Sequence, residues 1–136
     1  MSKNYHLFVS HSWSYSKNYE NLISKLRAKP NFNFSDYSVP KNDPIHTNGT
    51  DRELHSAIER KIMPCNVIII LAGVYSTYSK WINEEIRIAK GKRKKILAIE
   101  PWGAEKTSKV VKDSADLIVK WNTDSIVAAI RELDKL

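Results

Sequence analysis

Apolar and polar positions alternate along this chain between two periods, short apolar runs and helical stripes. The densest apolar run is Asn66-Val67-Ile68-Ile69-Ile70-Leu71-Ala72. It is too short to cross a bilayer. It reads as a strand covered on both faces, central in a parallel sheet. Tyr5 to Val9 reads as the first strand, ending in Ser10-His11-Ser12. Phe32-Asn33-Phe34 alternates as a more polar second strand at an edge. Ile96-Leu97-Ala98-Ile99, stopped by Pro101, is the fourth strand, and Leu117-Ile118-Val119 the fifth.

Between these runs the spacing becomes helical. Tyr15, Tyr19, Leu22, Ile23 and Leu26 recur on one face, with Ser14 or Ser16 as cap and Pro30 as stop. Thr50-Asp51-Arg52-Glu53 is a capping box, opening a helix whose stripe is Leu54, Ala57, Ile58 and Ile62; Pro64 closes it. Ser79 caps a third helix with Ile82, Ile86 and Ala89 on its apolar face, ended by Gly91. Residues 104–115 are ambiguous, with a short helix around Val110. Ile126, Val127, Ile130 and Leu133 mark a final amphipathic helix.

Strands that alternate with helices predict an α/β fold with a parallel sheet. Right-handed crossovers and two strongly apolar central strands favour a doubly wound, flavodoxin-like, five-stranded order, 2-1-3-4-5. The switch point then lies between strands one and three. The loops leaving those strands are Ser10-His11-Ser12-Trp13 and Gly73-Val74-Tyr75-Ser76. Residues 36–49, rich in Pro, Asn and Gly, form a loop long enough to suggest function.

At 136 residues the chain is expected to be a single domain, residues 1–136. One cysteine, Cys65, excludes an internal disulfide and fits a reducing cytoplasm. No signal-peptide core, transmembrane segment or repeat is evident, so no membrane partner is expected. Net charge is +7. Its densest cluster is Lys90, Lys92, Arg93, Lys94 and Lys95. These read first as solvated cations at a helix C-terminus, and no specific nucleic acid is expected.

The chemistry is narrowed by exclusion. Four glycines, at 49, 73, 91 and 103, build neither a dinucleotide fingerprint nor a phosphate loop. The four histidines lack metal-ligand spacing, so no metal is expected. Ser10-His11-Ser12 lacks a nucleophile elbow. Glu85 has two readings. As one of a Glu84-Glu85 pair it can be a solvated helix residue. Alternatively, its face lies beside the core stripe, four residues after Trp81, where a partly desolvated carboxylate stabilises a developing cation.

Phe8-Val9-Ser10-His11-Ser12, Asp36-Tyr37-Ser38, Tyr75-Ser76-x-x-x-Lys80-Trp81-Ile82-x-x-Glu85-Ile86 and Lys95-Ile96-Leu97-Ala98-Ile99 together resemble the TIR-like domains of bacterial Thoeris antiphage defence. The resemblance spans nearly the whole chain. Ile82 stands where animal receptor relatives carry a cysteine, as in the Thoeris branch. The resemblance implies a flavodoxin-like fold and an enzyme that cleaves the nicotinamide–ribose bond of NAD. NAD is then substrate, and no cofactor is required. It places the catalytic glutamate on Glu85, holding ribose hydroxyls against an oxocarbenium-like transition state. It gives Ser10, His11, Ser12, Trp13, Asp36, Tyr75, Ser76 and Trp81 to the substrate crevice. Thoeris members pass the ADP-ribosyl group to an internal or second acceptor, making a signal nucleotide that activates a separate effector. The long loop would mediate homo-oligomer assembly. The competing class is a non-catalytic adaptor or nucleotide-binding module.

Overall fold

Strand β3, Val67–Leu71, is buried along its whole length. It lies at the centre of a five-stranded sheet of order β2-β1-β3-β4-β5 in which every pairing is parallel. The other strands are β1 (Asn4–Ser10), β2 (Asn33–Asp36), β4 (Lys95–Glu100) and β5 (Leu117–Lys120). Helices α1 (Ser16–Ala28), α2 (Asp51–Ile62), α3 (Lys80–Gly91), α4 (Lys109–Ser114) and α5 (Thr123–Asp134) alternate with them. This computed structural model describes residues 4–10, 16–37, 51–71, 80–100 and 109–135. The expected doubly wound, flavodoxin-like architecture is the one observed, with an apolar centre and a mixed edge.

Successive residues of a strand point to opposite faces, and the core divides accordingly. Leu7, Val9, Val67, Ile69, Leu71, Leu97 and Ile99 pack on one side beneath α1 and α5. Phe8, Ile68, Ile70, Ile96 and Ala98 pack on the other beneath α2 and α3. Each central strand therefore contributes to two cores. That is why its apolar run is continuous and lacks the alternation of a half-exposed strand.

Two expectations need correction. β2 runs from Asn33 to Asp36, so Phe32 precedes it and Asp36 closes it. The register Leu7↔Asp36 and the bond from Tyr37 N–H to the Leu7 carbonyl (2.9 Å) extend the ladder past Phe34. Phe32 is buried because it stacks on Tyr5, with ring centroids 5.2 Å apart. The short helix expected near Val110 forms as α4. Second, Gly91 is not the left-handed cap of α3. That conformation falls on Arg93 (φ 58°). The Lys94 N–H reaches the Ala89 carbonyl (2.9 Å) and the Arg93 N–H reaches the Lys90 carbonyl (3.1 Å). This pair of bonds is the Schellman arrangement. The residue at its left-handed position is an arginine two places beyond the glycine.

The caps at Thr50 and Ser79, the loop residues 38–49 and the stop at Pro101 lie outside the described residues. Pro30 behaves as expected: α1 ends at Ala28, because the residue before a proline avoids helical angles. At the far end Asn122 caps α5, its side-chain oxygen accepting from the Ser125 N–H at 3.0 Å.

Candidate active site

In a parallel sheet of this kind each helix after a strand begins at the sheet's carboxyl edge. α3 follows the central strand and packs against α2, α4 and β4. Its sequence sets which face turns inward. Ile86, Ile88 and Ala89 are buried, whereas Arg87 and Lys90 are exposed. Glu85 shares the inward side and is 5% exposed. It is the one buried polar or charged residue among the described residues. The solvated-surface reading of Glu85 is therefore excluded by its burial. Glu85 is the sixth residue of α3. At 1.5 Å per residue it stands about 8 Å into the helix. That places it near the middle of α3, on the side turned to the core that α2 and α3 cover.

Burying a carboxylate is costly unless its charge is compensated, so helices rarely place one there without a use or a partner. In that surrounding a negative charge acts strongly on a cation brought beside it, because little water screens the pair.

β1 delivers the second part of the site. Ser10 is the last residue of β1 rather than the start of a loop, and its backbone pairs with Ile70, one residue short of the end of β3. The switch point between β1 and β3 thus lies where the two strands finish side by side. His11, Ser12, Trp13, Tyr75 and Ser76 lie outside the described residues, as do the side chains of Ser10 and Trp81. The backbone of Trp81 is the second residue of α3, one helical turn before Glu85.

Asp36 is placed differently. Its register partner is Leu7, three residues before Ser10. At about 3.3 Å per residue that is about 10 Å nearer the amino edge. Its charge reaches Cys65 at the foot of β3. There burial, assisted by Asp36 and opposed by Lys94, pushes the Cys65 thiol up to about 12. The thiol is fully buried and lies 3.4 Å from the Lys61 carbonyl, to which it donates. Beside it, His6 Nδ1 and the Tyr37 hydroxyl are 2.9 Å apart, tying β1 to the residue after β2. The sequence offers no signal for that contact, because it depends on the register of two strands far apart in the chain. Among the described residues no group of three His, Cys, Asp or Glu side chains gathers as a metal site. No described helix is long and apolar enough to cross a membrane.

The comparisons with known proteins agree with the fold. A conserved protein from Enterococcus faecalis V583 is similar in structure, with a TM-score of 0.66 at 10% identity, over 96% of this chain and 99% of that one. The Clostridium botulinum CMP N-glycosidase BcmB has a TM-score of 0.55 at 17% identity, over 96% and 99%. S. aureus MnaA, solved with UDP, has a TM-score of 0.52 at 14% identity, covering 95% of this chain and 40% of that one. At such identities these likenesses speak to fold alone. No curated protein matches the chain. The sequence family described as Thoeris protein ThsB, TIR-like domain, matches residues 8–106, which include the end of β1, all of β3 and α3, and Glu85. With well over half of its length matched, the chain belongs to the Thoeris ThsB TIR-like domain family.

Proposed function

We propose that the protein is an NAD-consuming enzyme of antiphage defence that cleaves the nicotinamide–ribose bond. A single observation carries this reading: the one buried charge among the described residues is Glu85, on the helix that leaves the central strand. The nicotinamide of NAD is a cationic leaving group. When the bond from its ring nitrogen to the ribose carbon breaks, the electron pair goes to nicotinamide, which departs neutral. Positive charge develops on the ribosyl ring as an oxocarbenium-like species. A buried carboxylate opposes that charge more strongly in the transition state than in the ground state, which is what accelerates a reaction. Water or an acceptor hydroxyl then closes the ribosyl carbon.

In this scheme Ser10, His11, Ser12 and Ser76 offer polar contacts to the ribose and phosphates, and Asp36, set back at the level of Leu7, takes no part. Trp13, Tyr75 and Trp81 flank the rings. The product is an ADP-ribose-derived signal, either cyclised or joined to a second acceptor, and a separate effector reads it. One domain carries the activity, in the cytoplasm, as a protein able to form a homo-oligomer. The CMP N-glycosidase among the structural neighbours is named for cleaving the same class of bond on a shared fold.

The test is incubation of the purified protein with NAD, alone and with extract of phage-infected cells, followed by mass spectrometry. Release of nicotinamide with an ADP-ribose-derived product supports the proposal. Intact NAD under every condition sinks it and leaves the adaptor reading in its place.

A further inference from the structure

The chain's charge is not spread over its surface. Residues 59–63, at the end of α2, and residues 87–95, at the end of α3, hold eight cations and one carboxylate. Their sum is +7, the formal net charge of the whole chain, so the remaining residues balance to zero. These two segments form one surface. α2 and α3 pack together. Lys94 Nζ donates to the Met63 carbonyl at 2.9 Å, and Lys92 Nζ lies 3.6 Å from the Glu59 carboxylate. Met63 stands between them with half of its surface exposed.

Helix dipoles account for only part of this. Their attraction for cations fades beyond the last turn. The last turn of α2 holds Arg60 and Lys61 and that of α3 holds Lys90. Lys92, Arg93, Lys94 and Lys95 come after it. Two acids lie nearby: Asp116 accepts from the Ile96 N–H at 2.8 Å and Asp134 from the Asn66 amide at 2.9 Å.

We infer that this α2–α3 end is a docking surface for an acidic segment of a partner protein. Charge complementarity sets the sign of the partner. The shape and composition choose its class. The surface is built from two helix ends and presents no helix side or ribbon to enter a groove of duplex nucleic acid. Residues 59–63 and 87–95 include no aromatic side chain on which unpaired bases could stack. A membrane-binding face inserts several apolar groups, and here Met63 stands alone among charges that include Glu59. An acidic peptide with a single apolar residue matches both features, the field and the anchor. The surface lies at the amino edge of the sheet, opposite the edge where β1 and β3 end, so docking there leaves the candidate site open.

The experiment measures anisotropy of a fluorescein-labelled Glu/Asp peptide of about twenty residues with one central leucine, at about 150 mM salt. Duplex DNA of similar length and vesicles about one-third phosphatidylserine serve as rival polyanions. The expected result is saturable peptide binding that weakens as salt rises. Lys90→Glu/Arg93→Glu should lower affinity about tenfold or more, and Met63→Ser about threefold, whereas Lys25→Glu on α1 should change it less than about twofold. Circular dichroism of each variant checks folding. Absence of peptide binding, equal weakening by Lys25→Glu, or tighter binding to the DNA or the vesicles than to the peptide overturns the inference.

Discussion

The two faces of the sheet are covered alike and composed differently. Beneath α1 and α5 the buried side chains among the described residues are aliphatic or aromatic, from Leu7 and Leu26 to Trp121, Ile130 and Leu133. Beneath α2 and α3 the described core holds the thiol of Cys65, and Glu85 is buried on the inward side of α3. One layer is built for cohesion. The other holds a charge on its inward side. On the proposed reading stability and chemistry belong to opposite sides of one set of strands, and a perturbation should register differently on each.

The heaviest blow to the cohesive side is Leu26→Ala. Leu26 is fully buried, and truncations of this kind cost about 2–5 kcal/mol. Chemical denaturation should show that loss, while product formed per folded molecule stays unchanged. A comparable fall in turnover would mean that the α1–α5 layer takes part in the chemistry after all.

On the other side the signature reverses. Glu85→Gln should leave the denaturation midpoint nearly in place and reduce NAD-derived product about a hundred- to a thousandfold, the usual consequence of removing one well-placed electrostatic stabiliser. Glu84→Gln, about 100° around the helix, should keep normal turnover. If Glu84→Gln is the inactive variant, the catalytic carboxylate has been assigned to the wrong residue.

How much of this contrast the sequence disclosed depends on how local each feature is. β3 was plain, because an unbroken run of β-branched residues has few other uses. The inward side of α3 was plain from Ile82, Ile86 and Ala89. Glu85 was legible only as a pair of alternatives: the helical spacing set it beside the stripe, and α2 packing alongside α3 accompanies its burial. Asp36 was misplaced because the end of an edge strand is fixed by its ladder to Leu7 and not by its own composition. Gly91 misled for a related reason. Glycine tolerates the left-handed conformation best, yet hydrogen bonding to Ala89 and Lys90 assigns it to Arg93.

A smaller effect separates the two layers by pH. The Cys65 thiol, pushed up to about 12 by burial, stays protonated in the folded protein while its unfolded counterpart ionises near 9. Above that lower value the unfolded state sheds a proton that the folded state keeps, so stability falls as pH rises from about 9 toward 12. The loss is about 1.4 kcal/mol at pH 10. Comparing the pH dependence of the native protein with that of Cys65→Ala isolates it. Identical slopes would show that the thiol is not sequestered by the α2–α3 layer.

The smallest expected change is a gain. Arg93→Gly relieves a left-handed residue at the end of α3 and should raise stability by about 0.5–1 kcal/mol in thermal denaturation. A loss would mean that the Arg93 side chain contributes more than its backbone costs.

The division of each central strand between two cores bears on how such a sequence can change over time. Substitutions within Val67–Leu71 exchange one apolar side chain for another and leave each on its own side. Inserting or deleting one residue there would send every later side chain of the strand to the opposite layer. Drift by replacement is thus permitted where drift by length is not. Chains only 10% and 17% identical to this one share its architecture on those terms.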